Sequence, residues 1–478
     1  MNGLSQTAPV IHLQAVSFTY EGSHDPALTN ISLQVNPGQW VSIVGPSGSG
    51  KTTLCGVMSG VLQQMSSGIE GQVMLFGTPL TMDGLPRERL GQVGLVFQDP
   101  DSGLVHAYVE DELSFAPENL RICPELIKQR MTDSLDAVGL PQMMMYRKTN
   151  ELSGGQKQRV AVASMLTMYP TLLMMDESAN HLDQDGTSRL YETIRSLHEA
   201  GHTVVTTSSR WEDRANADHV IVLDQGDVVI SGHPIRVREQ HREQLQQLGI
   251  IPEMDAKDAV LHAVTQVEKP PNVQGEPILN VDDLSFTYEH SKQPVFEKLT
   301  FQLYERSFLA VLGANGTGKT TLGRLIAGLL PCDQGKITIC GRTLHSIPSQ
   351  RLARLVGYLF QNPDHQFVAS TVWAECKFGN HGDAEVTRML KQYKLSDEQQ
   401  TNPYQLNLFQ KRKLNLLTAH LSQPKLIVLD EPTAGLNYTE ADELISHCAH
   451  IAEQGAAVVV ITHDTRIVED QVTDVLRL

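Results

Sequence analysis

The chain has 478 residues, of which 41% are apolar and 19% are charged, and it carries a formal net charge of −17. This length predicts at least two domains, because a single hydrophobic core rarely serves so many residues. The acidic balance argues against a protein that wraps nucleic acid or adheres to anionic lipid through basic patches, since both classes need a basic surface.

The sequence also argues against insertion into a membrane. It has no apolar run near the roughly 20 residues that a membrane-spanning helix needs. The first residues, Met1-Asn2-Gly3-Leu4-Ser5, lack the charged and apolar regions of a secretory signal. We therefore expect a cytosolic or peripheral protein whose attachment to any membrane would run through a protein partner.

Two strand-like stretches with the same ending open the two halves of the chain. Residues 11–20 and 278–288 alternate apolar and polar side chains, which predicts β-strands, and both end in Ser-Phe-Thr-Tyr. Their last residues, Tyr20 and Tyr288, precede two glycine-rich loops by the same distance along the chain. A tyrosine at a strand end is often simple packing, but this recurrence favours a role in stacking on a base.

The glycine-rich loops follow short apolar runs and precede helix-like segments. They consist of Gly45, Pro46, Ser47, Gly48, Ser49, Gly50, Lys51, Thr52 and Thr53 in the first half, and Gly313, Ala314, Asn315, Gly316, Thr317, Gly318, Lys319, Thr320 and Thr321 in the second. Such loops bind phosphate through backbone N–H groups and the positive end of a helix. Lys51 and Lys319 would contact the β- and γ-phosphates, and the hydroxyl groups of Thr52 and Thr320 would coordinate Mg²⁺. The alternative is a turn that is glycine-rich by chance. The occurrence of the loop in both halves argues against this alternative.

Two glutamines, Gln98 and Gln361, end strand-like runs and are followed by Asp-Pro and Asn-Pro. Proline stops both strand and helix, so each glutamine is predicted to begin a mobile connector. Its amide oxygen could serve Mg²⁺ or an attacking water. The segments beyond, residues 101–150 and 364–405, are predicted to form a largely helical insert in each half, separate from the nucleotide core.

A polar motif and two acidic strand ends complete the pattern. The motif consists of Ser153, Gly154, Gly155 and Gln156, and the strand ends are Asp176-Glu177 and Asp430-Glu431. A run that is apolar throughout predicts a buried parallel strand, whose C-terminal end faces the ligand in open α/β sheets. The aspartate could hold Mg²⁺, and the glutamate could orient or deprotonate water. The predicted Mg²⁺ ligands are Thr52, Gln98, Thr320, Gln361 and Asp430.

These motifs, in this order and twice over, resemble the ATPase domains of ABC transporters. The resemblance implies an α/β fold of two tandem P-loop NTPase domains of ABC type, each with a parallel-sheet core, an antiparallel β subdomain and a helical insert. We place the first domain at residues 1–235, a linker at 236–275 and the second domain at 276–478. Within the linker we expect a short polar helix at 236–248. The resemblance also implies an ATPase that uses ATP and Mg²⁺ and couples hydrolysis to transmembrane transport.

The segments at 98–101 and 361–366, Gln-Asp-Pro-Asp and Gln-Asn-Pro-Asp-His-Gln, are similar to the ATPase subunits of energy-coupling-factor importers. That narrower resemblance implies a peripheral subunit on the cytoplasmic face of the membrane, with an integral-membrane coupling subunit and a substrate-capture membrane protein as partners. Such systems carry vitamins, vitamin precursors (thiamine-related ones for fused pairs of this kind) or nickel and cobalt ions. A sugar-importer ATPase remains an alternative, which these segments speak against. A soluble double ATPase acting on ribosomes or nucleic acid is another, and it would predict a basic linker and a basic face.

The two halves differ at the signature and beyond the acidic strand. Where the first half has Ser-Gly-Gly-Gln, the second reads Asn407-Leu408-Phe409-Gln410, and Ser209 stands where the second half has His463. Loss of both glycines adds bulk where backbone must approach phosphate. Serine cannot carry a proton near neutral pH as histidine can.

In ABC dimers, the resemblance implies, two ATP molecules bind head to tail, each between the phosphate loop of one half and the signature of the other. The second loop, with Glu431 and His463, would then face the intact signature and form a complete site. The first loop, with Glu177 and Ser209, would face the altered one. We predict that Glu431 and His463 are catalytic and that the other site mainly holds nucleotide. The alternative is neutral drift that left two active sites of unequal quality.

Overall fold

The structure is a computed structural model that describes residues 8–23, 25–65, 68–81, 89, 91–98, 103–152, 154–180, 182, 184–211, 216–252, 276–288, 293–464 and 472–478. The chain divides into two compact units, Met1–Glu253 and Met254–Leu478. Each unit has its own sheets and its own core. Within the ranges described, no helix has the length and apolar character needed to cross a bilayer.

The first unit contains an antiparallel and a mainly parallel sheet. Its strands are β1 (Ile11–Phe18), β2 (Leu28–Val35), β3 (Trp40–Val44), β4 (Ile69–Leu75), β5 (Thr78–Pro79), β6 (Val93–Val96), β7 (Leu172–Met175), β8 (Thr203–Ser208), β9 (His219–Asp224) and β10 (Asp227–Gly232). The antiparallel sheet has the order β2-β1-β4-β5. The larger sheet has the order β10-β9-β3-β8-β7-β6 and is parallel except where β10 pairs with β9.

Helices of the first unit cover this sheet and form its insert. They are α1 (Lys51–Ser59), α2 (Val61–Met65), α3 (Val109–Asn119), α4 (Pro124–Ala137), α5 (Gly154–Leu166), α6 (Gln184–Glu199), α7 (Pro234–Gln240) and α8 (Arg242–Gln247). Short 3₁₀ turns lie at Gln142–Tyr146 and Thr149–Glu151. The predicted helical insert of the first half is therefore confirmed where its residues are described.

The second unit repeats this plan. Its strands are β11 (Leu279–Phe286), β12 (Phe296–Leu303), β13 (Phe308–Leu312), β14 (Gln334–Ile339), β15 (Arg342–Thr343), β16 (Val356–Leu359), β17 (Leu426–Asp430), β18 (Ala457–Thr462) and β19 (Asp474–Arg477). An antiparallel sheet has the order β12-β11-β14-β15, and a parallel sheet has the order β16-β17-β18-β13-β19. The predicted combination of parallel core and antiparallel subdomain is confirmed in both units.

The helices of the second unit complete its insert and core. They are α9 (Lys319–Ile326), α10 (Ser349–Leu355), α11 (Val372–Lys377), α12 (Asp383–Gln392), α13 (Leu408–Leu421) and α14 (Tyr438–Glu453), with 3₁₀ turns at Leu344–Ser346, Pro363–His365, Ser396–Glu398 and Pro403–Gln405. One face of the parallel sheet packs against α9 and the antiparallel sheet, and the other packs against α12, α13 and α14. Burial on both faces explains why β13 and β17 are apolar almost throughout.

Part of the predicted linker packs on the first unit. The polar helix expected at 236–248 consists of two helices, α7 and α8, that meet at His241. Val237, Leu245 and Ile250 are buried in one apolar cluster with Trp211. These widely spaced apolar residues give the two short helices a buried face, so this part of the segment is anchored rather than fully solvated. Residues 253–275, with the proline segment, lie outside the described residues.

Candidate functional site

The first glycine-rich loop joins β3 to α1. Gly50 has a φ of 99° at the N-cap of α1, a conformation that glycine adopts without steric cost. A Cβ there would lie 2.8 Å from the carbonyl oxygen of Ala27. The buried ammonium group of Lys51 donates to the carbonyl oxygens of Gly45 and Pro46, at 2.8 Å each. The loop therefore encloses a cation at a helix N-terminus, an arrangement that can bind phosphate oxygens.

The second loop, between β13 and α9, has the same geometry. Gly318 has a φ of 98° at the N-cap of α9. Lys319 is buried, and its ammonium group donates to the carbonyl oxygens of Gly313 and Ala314 at 2.7 and 3.0 Å. Both predicted loops thus have the strand–loop–helix conformation expected from their motifs.

The two tyrosines lie beside the helices that begin at these loops. The hydroxyl groups of Tyr20 and Tyr288 are 3.0 and 2.9 Å from the hydroxyl oxygens of Thr53 and Thr321. Each ring packs edge-to-face on the phenylalanine two residues earlier, with centroids 4.8 and 5.0 Å apart. The tyrosines remain 45% and 43% exposed. Such a fixed, accessible ring next to a phosphate loop is suited to stacking on a base.

Three donors surround the Glu177 carboxylate, which follows β7. Lys51 Nζ lies 3.0 Å from one carboxylate oxygen. The side-chain amides of Gln98 and Asn180 donate to the other oxygen at 3.3 and 2.5 Å. A carboxylate that accepts three such contacts has few positions left for orienting a water molecule.

The equivalent carboxylate, Glu431, pairs with a histidine. His463 Nδ1 lies 3.0 Å from Glu431 Oε2. Burial lowers the pKa of His463, but the hydrogen bond to Glu431 and the negative charges of Glu431 and Asp464 outweigh burial, so this pKa is raised overall. The pair can therefore share a proton at the end of the parallel sheet.

Each strand-end aspartate accepts hydrogen bonds from hydroxyl groups. Thr320 Oγ1 and the Tyr358 hydroxyl donate to the two oxygens of Asp430, both at 3.0 Å. Thr207 Oγ1 donates to Asp176 Oδ1 at 2.7 Å. Burial raises the pKa of both aspartates. A loop hydroxyl beside a carboxylate supplies the oxygen ligands that Mg²⁺ prefers, so the residues present fit this ion.

The structure describes the N-terminal cap of the second signature helix. Helix α5 begins at Gly154, and Ser153 lies outside the described residues. Helix α13 begins after Asn407 with a capping box. The backbone N–H of Gln410 donates to the Asn407 side chain at 2.9 Å, and the backbone N–H of Asn407 donates to Gln410 Oε1 at 3.0 Å. The second signature position therefore satisfies its own helix terminus.

A carboxylate also lies beside this capped terminus. Gln410 Nε2 donates to one oxygen of Glu398 at 3.0 Å, and the Thr401 hydroxyl donates to the other at 2.7 Å. Leu408 and Phe409 are half-buried and pack against the core of their own unit. Glu398 adds negative charge near this terminus, which disfavours an anion there. This charge adds to the steric bulk that the sequence indicates.

Ser209 is 1% exposed and lies just beyond β8. Its hydroxyl has no hydrogen-bond partner within the described parts of the chain. It therefore does not reproduce the contact that His463 makes with Glu431.

Sequence reasoning missed two residues that contact the acids. Asn180 donates to Glu177, where the second half has Ala434, and Tyr358 donates to Asp430, where the first half has Leu95. Both differences are visible when the halves are aligned on their strand-end acids and on their glutamines. Comparing the halves position by position, beyond the known motifs, would have found them.

Comparison with known proteins identifies the family. The ABC transporter family pattern matches residues 28–180 and 296–434, more than half of the chain. A Bacillus subtilis protein named for a proposed role as HMP/thiamine import ATP-binding protein is 33% identical over 98% of this chain and 90% of its own length. A Methanosarcina acetivorans protein named as a proposed ABC transporter ATP-binding protein is 29% identical over 98% of this chain and 84% of its own length. The structure of cbiO1 from Clostridium perfringens, described as part of the complex cbiONQ, covers 50% of this chain and 95% of its own, with 26% identity and a TM-score of 0.44. The chain belongs to the ABC transporter family of ATP-binding proteins, and it is an ATPase with two ABC domains in one polypeptide.

Proposed function

We propose that the chain is the motor subunit of an energy-coupling-factor importer, bound peripherally to the cytoplasmic face of the membrane. The observation that carries this proposal is the 33% identity that extends over 98% of the chain to a relative named for HMP/thiamine import. A thiamine-related vitamin precursor is therefore the cargo that we favour, ahead of other vitamins and of nickel or cobalt ions. The partners would be an integral-membrane coupling subunit and a substrate-capture membrane protein.

We assign hydrolysis to the site that contains the second phosphate loop. There Lys319 would contact the β- and γ-phosphates, and Glu431 would accept a proton from the water that attacks the γ-phosphorus and displaces ADP. The Nδ1–H group of His463 would hold the Glu431 carboxylate in position. The intact signature of the first half would complete this site.

The first phosphate loop would mainly hold nucleotide. Support comes from the buried Ser209, which makes no hydrogen bond within the described residues, and from the bulky, acid-flanked terminus of α13. Removal of one oriented donor to developing charge costs about 3–4 kcal/mol in well-studied catalytic sites. In this proposal the site of the first phosphate loop has lost several such groups, and the site of the second loop has lost none.

The proposed Mg²⁺ ions would be held by loop hydroxyls and strand-end acids. In the second unit these are Thr320 and Asp430, already 3.0 Å apart, with Gln361 as a further ligand. In the first unit they are Thr52 and Gln98, beside Asp176. When bound, Mg²⁺ would neutralise charge on the phosphate oxygens.

A pair of equivalent loops supports docking to a membrane partner. In each unit a buried glutamate accepts two backbone N–H groups: Glu112 from Val105 and the next residue, both at 2.9 Å, and Glu375 from Val368 and the next residue, at 3.0 and 2.7 Å. The two valines are 72% and 68% exposed. Neighbouring Phe115 in the first unit and the second unit's Phe378 and Tyr404 are also exposed. Apolar side chains held outward next to the segments after Gln98 and Gln361 favour an apolar protein partner.

Purification from native membranes tests this function. The full chain, extracted in mild detergent, should bring down a polytopic membrane protein and a small substrate-binding membrane protein in fixed proportion. Reconstitution of these proteins in vesicles should give ATP-dependent accumulation of a thiamine-related compound. Association with ribosomes or nucleic acid, with no membrane protein retained, would overturn the proposal.

A further inference from the structure

Helix α13 contacts the segment that follows β16 through three polar side chains. The ammonium group of Lys411 forms an ion pair with Asp364 at 2.8 Å. The guanidinium group of Arg412 donates to the carbonyl oxygen of Phe360 at 3.3 Å, and Asn415 Nδ2 donates to the carbonyl oxygen of Pro363 at 3.1 Å. These contacts span residues 360–364 and thus bracket Gln361, the predicted ligand of Mg²⁺ or water.

The segment is also closed on itself. Gln366 Nε2 donates to the carbonyl oxygen of Tyr358 at 2.8 Å, and Gln366 Oε1 accepts the backbone N–H of Phe360 at 3.3 Å. The Asn362 side chain accepts the backbone N–H of Asp364 at 3.0 Å. Because these internal hydrogen bonds stabilise the turn, residues 360–366 would move as one rigid segment. Helix α13 is the helix whose polar side chains contact this segment.

Arg412 is the unusual member of the three. It is 5% exposed, and a buried cation is costly unless anions compensate it. The negative charges acting on it are those of Glu431, Asp430 and Asp364, while burial lowers its pKa to about 10, so it stays protonated at neutral pH. A buried positive charge therefore lies within electrostatic reach of both the strand-end acids and the segment that carries Gln361.

The first unit has different side chains at two of these three helix positions. Aligned on the signature, Gln158 stands in place of Arg412 and Ala161 in place of Asn415, whereas lysine is kept as Lys157. Gln158 is 1% exposed, and its amide group has no hydrogen-bond partner within the described residues. Two of the three contacting side chains are thus specific to the second half, where we place hydrolysis.

The altered signature explains why α13 could take another role. Leu408 and Phe409 replace the two glycines of the signature, and Glu398 flanks the terminus. The terminus is therefore poorly suited to contact phosphate in the other half. The polar residues one turn further along the helix instead contact their own unit.

We infer that Arg412 and Asn415 are positioning residues, which hold residues 360–366 so that Gln361 and Glu431 keep the relative position needed for turnover. The inference rests on the proposed assignment of hydrolysis to Glu431. In this arrangement α13 acts as a strut, which means that it fixes the position of residues 360–366 relative to the acids Asp430 and Glu431. Loss of the strut should slow the chemical step and leave ATP binding largely intact, because neither side chain contacts the phosphate loop.

Steady-state phosphate release by the full chain tests this inference. Arg412→Gln, which installs the residue found in the first half, should lower kcat by about 10- to 100-fold, the range expected when reacting groups are misplaced by up to about 1 Å. The KM for ATP should stay within about twofold of wild type. Arg412→Lys should recover part of the lost kcat because it restores the buried charge. Asn415→Ala should lower kcat by about fivefold, the equivalent of one ordinary hydrogen bond.

Matched variants separate the possible outcomes. Arg351→Gln, on the exposed face of α10, removes an arginine elsewhere and should leave kcat unchanged. If Arg412→Gln is unstable, Asn415→Ala decides, because it leaves the buried charge in place. The inference would be overturned if kcat were unchanged in both Asn415→Ala and a folded Arg412→Gln. It would also be overturned if these variants raised only the KM for ATP. Glu431→Gln is measured alongside: if it keeps full turnover, the proposed hydrolytic site itself is wrong.

Discussion

Replacing Glu431 by glutamine should nearly stop ATP turnover, whereas the same change at Glu177 should leave most of it. Glutamine has almost the same shape as glutamate but cannot take a proton from water. Glu431 lies 3.0 Å from His463, whereas the hydroxyl group of Ser209, at the equivalent position of the first half, has no hydrogen-bond partner within the described residues. Loss of a general base lowers the rate by about 10²–10⁴. That loss corresponds to about 3–5 kcal/mol in the activation free energy.

Phosphate release from the purified full chain at saturating Mg·ATP measures the difference. Glu431→Gln should fall by the factor given above and still retain ATP in a filter-binding assay, because the phosphate loops are untouched. Glu177→Gln should keep at least about half of the wild-type rate if the first site contributes little. Glu305→Gln serves as the control, because it removes an exposed negative charge at a position that is distant in sequence from both acids. Equal losses in the Glu431 and Glu177 variants would refute the asymmetric assignment.

Three further outcomes follow from the same geometry. Folding raises the pKa of His463, so protonated His463 stabilises the folded protein. This contribution to the free energy of unfolding is complete below the unfolded pKa of about 6.5 and is lost as pH rises through the folded pKa. The Tm difference between wild type and His463→Ala, measured by calorimetry, should therefore shrink from about pH 6 to about pH 9. Ser209→His, introduced into the Glu431→Gln variant, should leave phosphate release abolished, since Leu408 and Phe409 remain in the second signature. Glu375→Gln should weaken retention of the membrane partner about tenfold in quantitative co-purification, because a charged hydrogen-bond acceptor is lost, while phosphate release by the isolated chain stays within about twofold of wild type.

The parts of the fold that depend on local pattern were predictable. The phosphate loops follow from glycine spacing between an apolar strand and a helix, and the structure places Gly50 and Gly318 at helix N-caps with positive φ. The acids at 176–177 and 430–431 lie at the C-terminal ends of buried apolar strands, so their position at the edge of a parallel sheet could be predicted from hydrophobicity alone.

Contacts between distant segments were not predictable in this way. The Tyr358 hydroxyl reaches Asp430 across neighbouring strands, and nothing near Tyr358 in the chain indicates an acidic partner. The cap at the second signature is a different case. Asn407 and Gln410 have the spacing of a capping box, yet the comparison with the first half drew attention to Leu408 and Phe409 instead. The capping-box spacing was present in the sequence, but this stretch was interpreted only as the loss of two glycines.

The changes in α13 fit specialisation better than independent drift. A glycine-free signature alone would leave Leu408 and Phe409 exposed, but both pack against the core of their unit. A buried Arg412 alone would be strongly destabilising, but anionic side chains lie around it and Phe360 accepts its hydrogen bond. All three side chains thus make contacts within their own unit, and these contacts do not require phosphate. This arrangement argues that the second signature helix was retained for contacts within its own unit.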